Sequence, residues 1–321
     1  MTTAATIPEQ VGIIGGGSIG SAMAVVFADA GSAVTLVEPD PARRDNLAGV
    51  FSRQHAAMWT AGLARGTADN ADRIAVSGEL GALAQSDLVV EAGPEALGVK
   101  QQIFAALLET TRPATPLATV SSAITVSQIL PVLDEQRRAM VAHPANPPTV
   151  LRILEIVPAV GTDPQVVVEA MQQFAAVGFS PTVLGKEMPG FVFNRLQGAL
   201  LREAYRLVEE GVVGVEGLDR LVREGLGPRW ALCGPFENAD LNTPGGIVGH
   251  AERMGPAYAS MGAMRGETHS TWPPELVDDV ARQRLDVCPT DRRPARREWR
   301  EKALAKLIAA RRAIVAESGD G

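Results

Sequence analysis

Residues 10–38 read Q-V-G-I-I-G-G-G-S-I-G-S-A-M-A-V-V-F-A-D-A-G-S-A-V-T-L-V-E. Gln10–Ile14 is a short β-type run, and Gly15 to Gly20 follow it at once. Ser18–Ala30 then carries small and apolar residues at helical spacing, and Gly31 closes it. Ala33–Val37 is a second β-type run, ending on Glu38. Strand, glycine turn, helix, strand, acid is the context that makes G-x-G-x-x-G specific for a dinucleotide. Gly15 permits the tight turn, Gly17 lets the backbone approach a pyrophosphate, and Gly20 lets the helix pack close on the strand. Ser18 and Ile19 open the helix, whose N-terminus offers donors and partial positive charge to the phosphates. Glu38 stands where a carboxylate accepts bonds from the adenosine ribose and repels a 2′-phosphate, which favours NAD over NADP. Arg43 and Arg44 pull the other way.

Downstream the pattern continues. Pro41 to about Leu63 reads as a helix, Gly66–Arg73 as a loop, and Ile74–Val76 as a strand. Leu88–Ala92 and Leu117–Val120 read as strands on either side of a helix, Leu97–Thr110, at whose start Glu95 and Lys100 lie. Ser121 and Ser122 end the second strand, where ligands gather in open α/β sheets. Arg138–Ala142 is a strand delivering His143, and His143-Pro144-Ala145-Asn146-Pro147-Pro148 cannot be a regular helix. Glu155 lies inside the apolar run L-R-I-L-E-I-V, where a carboxylate needs a partner. A His and a partly buried Glu are the raw material of a general base with an orienting acid. Leu154–Val157 and Pro181–Leu184 read as two more strands around a helix, Pro164–Val177. After Lys186 the chain turns helical: Gly190–Glu210, Gly217–Gly225, a region around Thr243–Met254, and Glu298–Glu317, with Pro273-Pro274 and Pro289–Pro294 as punctuation. The expected fold is α/β: a Rossmann-type doubly wound sheet in a domain over 1–186, then an all-helical domain over 187–321.

Bulk properties narrow the function classes. The chain has 321 residues, 46% hydrophobic and 21% charged, as globular proteins do. A net charge of -7 argues against nucleic acid or an anionic membrane as partner. No apolar run approaches a membrane span, and Met1–Pro8 lacks the basic and apolar regions of a secretory signal. Two cysteines, Cys233 and Cys288, and four scattered histidines indicate neither a disulfide framework nor a metal site. A cytoplasmic location is expected.

Several segments resemble one family throughout the chain. They are G-G-G-S-I-G at Gly15–Gly20, V-V-E-A-G-P-E at Val89–Glu95, S-S-A-I at Ser121–Ile124 and H-P-A-N-P-P at His143–Pro148. E-I-V-P at Glu155–Pro158, P-G-F-V-F-N-R-L at Pro189–Leu196, G-L-G-P-R-W-A-L-C-G-P-F-E at Gly225–Glu237, D-L-N at Asp240–Asn242 and R-R-E-W-R at Arg296–Arg300 follow. The chain is similar to the L-3-hydroxyacyl-CoA dehydrogenase superfamily, nearest its L-gulonate 3-dehydrogenase (lambda-crystallin) branch. The resemblance implies Ser122, His143, Glu155 and Asn194 as the catalytic set, although the family usually has Thr where Ser121 stands. It implies Glu95 and Lys100 at cofactor-contacting positions. The mainly helical second domain, with one long apolar-faced helix, leads to the expectation of a homodimer through that domain.

The chemistry then follows. His143 takes the hydroxyl proton as hydride leaves carbon for NAD, Glu155 orients the imidazole, and Ser122 and Asn194 donate to the substrate oxygen. Arg43–Arg73 is shorter than the CoA-binding excursion of long-chain enzymes and contains no Lys, which weakens a thioester substrate. A free carboxylate wants a planar bidentate donor, so Arg229 is the first candidate clamp and Arg152 the second, with Asn146 and Asn242 as further polar candidates. L-carnitine is disfavoured because no aromatic box for a quaternary ammonium is evident. The reading is an NAD-dependent dehydrogenase of a small, L-gulonate-like 3-hydroxy acid. A 3-hydroxyacyl-CoA dehydrogenase and a non-catalytic NAD-binding structural protein are the alternatives.

Overall fold

A computed structural model describes residues 6–60, 62–65, 71–267 and 273–318. Residues 66–70 of the expected Gly66–Arg73 loop lie outside the described residues. Eight strands form one sheet: β1 (Gln10–Ile14), β2 (Ala33–Val37), β3 (Ile74–Ser77), β4 (Leu88–Glu91), β5 (Leu117–Thr119), β6 (Ala139–Pro144), β7 (Ile153–Pro158) and β8 (Ser180–Val183). Their order is β3-β2-β1-β4-β5-β6-β7-β8, so the chain starts mid-sheet and builds outward both ways. All neighbours are parallel except β6 and β7, which run antiparallel. That reversal is not apparent in the sequence.

Helices α1 (Ser18–Ala30), α2 (Pro41–Thr60) and α5 (Pro164–Ala176) pack with one face of the sheet; α3 (Leu97–Thr110) and the single-turn α4 (Val126–Ile129) cover the other. Strand alternation serves both faces at once. Leu88 and Val90 join Phe27, Phe51, Met58 and Phe174 on the first, and Val89 joins Phe104 and Leu107 on the second. Parallel strands buried on both sides therefore read as continuous apolar runs.

The chain parts into two compact units, Met1–Leu201 and Arg202–Gly321. The division falls inside α6 (Phe193–Glu209), beyond the expected change at Lys186. Its first turn belongs with the sheet because the N–H groups of Val192 and Phe193 donate to Glu155. The helix also starts later than Gly190, because Gly190 (φ 78°) and Phe191 (φ 47°) adopt left-handed backbone there.

The second unit holds α7 (Val215–Leu221), a π-turn at Val222–Leu226, α8 (Gly227–Leu232), α9 (Pro235–Asn242), α10 (Gly246–Met264), α11 (Pro274–Val287) and α12 (Arg293–Ser318). Pro235 and Pro274 open helices, since a first-turn N–H is unpaired anyway. The Pro273-Pro274 pair thus starts a helix where the sequence suggested only a break. Asp240, fully buried on α9, accepts from Arg293 (2.9 Å) and from the Ile247 N–H (3.2 Å) at the start of α10. Among the described residues no helix is long and apolar enough to cross a membrane, and no group of three or more His, Cys, Asp or Glu is placed to hold a metal.

Candidate active site

The glycine turn is shaped by contacts a side chain would destroy. Gly15 has φ 95°, and a Cβ there would lie 2.5 Å from the Ala92 carbonyl oxygen. A Cβ on Gly20 would lie 2.0 Å from the Gly15 carbonyl oxygen, whereas one on Gly17 meets nothing within 4 Å. Gly17 caps α1 with no side-chain bond, and no acid occupies the first turn, so the N–H groups of Ser18, Ile19 and Gly20 remain available to an anion. Glu38 is buried at the end of β2; it accepts from the N–H of Gly16 (2.8 Å) and of Asp40 (3.0 Å), which places its carboxylate against the turn. Arg44 is spent on the carbonyls of Glu38 and Pro39 (2.7 and 2.9 Å), and Arg43 is exposed beside Asp40. Open space at the turn, unpaired donors and an adjoining acid fit NAD. We expect Gly20→Ala to abolish NADH binding, read by fluorescence titration, because the Gly15 carbonyl that the new Cβ would meet is backbone and cannot yield without reshaping the turn.

The antiparallel β6–β7 pair settles how His143 and Glu155 relate. They are direct cross-strand partners, and His143 Nδ1 lies 2.8 Å from Glu155 Oε2. A carboxylate only accepts, so Nδ1 carries the proton and Nε2 presents its lone pair. The other oxygen of Glu155 accepts from the N–H of Val192 (2.8 Å) and of Phe193 (2.9 Å). Rings of Phe191 and Phe193 stand 5.6 and 6.5 Å from the imidazole, so His143 is buried with apolar walls. Phe191 is fully buried with φ 47°, a rarely populated conformation for a bulky residue. Such outliers gather at functional sites. The P-G-F segment stands out in the sequence, but nothing there predicts that its aromatics enclose the histidine.

The two serines differ. Ser121 is buried and its hydroxyl is consumed in the turn: it donates to Glu95 Oε1 (2.7 Å) and accepts from the Ile124 N–H (2.8 Å). Ser122 is half-buried; its N–H donates to Glu95 Oε1 at 3.0 Å and its hydroxyl lies 3.4 Å away. Asn194 donates through Nδ2 to the Ser122 carbonyl (3.3 Å), which brings it beside that turn. Burial works to raise the Glu95 carboxyl, but the Ser121 hydroxyl, the Lys100 charge and the amides of Ser122 and Ala123 outweigh it and hold the group below its ordinary value. Lys100 itself is fully buried and bonded to Glu91, so it reaches the surface only through Glu95, 3.5 Å away.

The substrate candidates fall in three places. Asn146 is exposed just past β6, and its bond to Pro147 is cis. Arg152 packs over the Phe179 ring (5.5 Å) against Met58, and burial, aided by the Arg65 charge and opposed by Asp29, lowers its pKa. Arg229 and Asn242 line one pocket of about 500 Å³ inside the helical unit, with Trp230, Phe236, His250 and Tyr258. Arg229 has no hydrogen-bond or ion-pair partner among the described residues, whereas Asn242 bonds Asn238 and Arg300. The aromatic lining leaves no signature in the sequence.

Residues 10–188 match the NAD binding domain of 3-hydroxyacyl-CoA dehydrogenase, and residues 190–285 match its C-terminal domain. A 3-hydroxyacyl-CoA dehydrogenase of Gibberella moniliformis is 35% identical over 287 residues, 87% of this chain and 82% of that protein. Lambda-crystallin of Oryctolagus cuniculus is 31% identical over 307 residues, 94% of this chain and 95% of that protein. An L-carnitine dehydrogenase of Streptomyces griseus is 33% identical over 254 residues, 78% of this chain and 75% of that protein. With an NAD-fitting glycine turn and a His–Glu pair on adjacent strands, the chain belongs to the 3-hydroxyacyl-CoA dehydrogenase family of NAD-dependent oxidoreductases.

Proposed function

We propose that the chain oxidises the 3-hydroxyl of a small free L-3-hydroxy acid, L-gulonate-like, to the 3-keto acid. The single observation that carries the chemistry is the bond from His143 Nδ1 to Glu155, which leaves Nε2 as the base. Bound NAD supplies the hydride acceptor. Nε2 of His143 takes the hydroxyl proton, and Glu155 stabilises the imidazolium that results, without itself taking the proton. The Ser122 hydroxyl and the Asn194 amide donate to the substrate oxygen, on which negative charge changes most. Asn146 is a further polar contact at the edge of β6. The cofactor positions are Gly15, Gly17, Ser18, Ile19, Gly20, Glu38 and Glu95, with Lys100 behind Glu95.

Arg229 supports the free-acid reading: among the described residues its guanidinium has no hydrogen-bond or ion-pair partner, and none of the described residues that line its pocket is a carboxylate. A carboxylate would satisfy it bidentately. Arg152 is the weaker candidate because it is already packed on Phe179. We expect Arg229→Ala to raise KM for a free hydroxy acid roughly 10- to 100-fold with a smaller change in kcat, the worth of about 1.5–3 kcal/mol for a charged hydrogen bond. Trp230, Phe236 and Tyr258 in the same lining favour a second reading, a quaternary-ammonium acid such as L-carnitine, although the Arg229 charge opposes it. Initial rates by reduced-nicotinamide absorbance over L-gulonate, L-3-hydroxybutyrate, L-carnitine and 3-hydroxybutyryl-CoA decide among these. Turnover of the thioester alone would end the free-acid reading.

The helical unit leaves much apolar surface uncovered. Tyr205, Val212, Val215, Leu221 and Met264 are all more than 60% exposed. This surface supports a homodimer through that unit. A cytoplasmic setting belongs to the same proposal.

A further inference from the structure

Glu91 ends β4 fully buried, in register with Ile14 on one side and Thr119 on the other. A carboxylate at that depth needs donors. It receives the Gly93 N–H (2.7 Å), the Thr119 hydroxyl (2.6 Å) and the Lys100 ammonium (2.8 and 3.1 Å). Lys100, equally buried, also stands 3.5 Å from Glu95 Oε2, so one cation serves two carboxylates.

Both arms of this cluster lead to the same turn. Thr119 Oγ1 accepts from the Ser121 N–H at 3.2 Å. Glu95 Oε1 accepts from the Ser121 hydroxyl (2.7 Å) and from the N–H of Ser122 (3.0 Å) and of Ala123 (3.2 Å). Stability alone does not account for the arrangement, because apolar residues of similar volume often replace a buried ion pair at no loss. What apolar residues cannot supply is a fixed ammonium beside Glu95 and an acceptor that aims the Thr119 hydroxyl. We propose that Glu91 is a positioning residue for Ser122: by holding Lys100 and Thr119 it sets where Glu95 stands, and Glu95 sets the turn that presents the Ser122 hydroxyl. The inference rests on Ser122 being a donor in the reaction proposed above.

The test is a double-mutant cycle on kcat/KM with NAD and 3-hydroxybutyrate, free or as its CoA thioester, whichever turns over faster. In the wild type, Ser122→Ala should lose roughly 100-fold, the effect of one lost oxyanion donor. Glu91→Gln should itself lose on the order of 10- to 100-fold, and in that background Ser122→Ala should lose less than about 10-fold, since residues acting as one unit are not additive. Thermal unfolding of Glu91→Gln should stay cooperative. If that variant does not fold, the Glu91→Leu/Lys100→Met pair, which removes the buried ion pair whole and leaves the part-exposed Glu95 its bonds to Ser121, Ser122 and Ala123, should fold and show the same non-additivity. Additive losses, or failure of both variants to fold, overturn the proposal. A wild-type chain indifferent to Ser122→Ala would instead overturn the role of Ser122, a separate outcome.

Discussion

Replacing His143 with glutamine lowers kcat by roughly a thousandfold, the middle of the range for loss of a positioned general base, while NADH binding persists. Glutamine is close to histidine in volume, so the walls of Phe191 and Phe193 keep their packing, and its amide still donates to Glu155 Oε2. What disappears is the Nε2 lone pair, for which the amide offers no basic substitute. Rates by nicotinamide absorbance and nucleotide affinity by fluorescence separate the two effects. A glutamine variant with full activity would remove His143 as the base.

Glu155 gives two different results according to the replacement. Glu155→Ala strips the acceptor from His143 and from the N–H groups of Val192 and Phe193. Each donor left unpaired in a buried site costs about 1–3 kcal/mol, so the melting temperature falls together with the rate. Glu155→Gln keeps one carbonyl oxygen, which the two backbone donors claim. Its NH2 then faces Nδ1, forcing the proton to Nε2 and removing the lone pair that does the chemistry. We therefore expect the Glu155→Gln variant to melt near the wild type yet turn over about 10⁴-fold more slowly, the scale of a wrong tautomer in a His–acid pair. Circular-dichroism melting beside steady-state rates distinguishes this from a purely structural role, in which both substitutions would lower stability in step with activity.

The nucleotide-binding half was legible because its signals are local. The glycine spacing, the apolar runs of β1, β2 and β4, and the acid at Glu38 each report on their own neighbourhood. The orientation of β7 was not legible, since an apolar run reads the same in either direction and only the pairing partner decides. That one ambiguity hid the contact between His143 and Glu155, although both residues stood out by type. Its place at the start of α3 and the family likeness both put Lys100 at the cofactor, and nothing in its spacing betrays that its ammonium turns inward to Glu91. In the helical half the prolines misled. Pro274 looks like a break, yet at the first helical position its missing N–H costs nothing, and α11 follows. The pocket around Arg229 draws on four helices and the turn before α8, and such convergence leaves no periodic trace.

The reversal between β6 and β7 separates the contact between His143 and Glu155 from the loop that joins the two strands. Because His143 and Glu155 face each other across two hydrogen-bonded strands, their distance is set by the sheet and not by the residues 145–152 that join them. The exposed joining residues, such as Asn146 and Val150, can therefore change without altering that cross-strand distance. Grafting this segment from a relative should thus leave the contact between His143 and Glu155 intact.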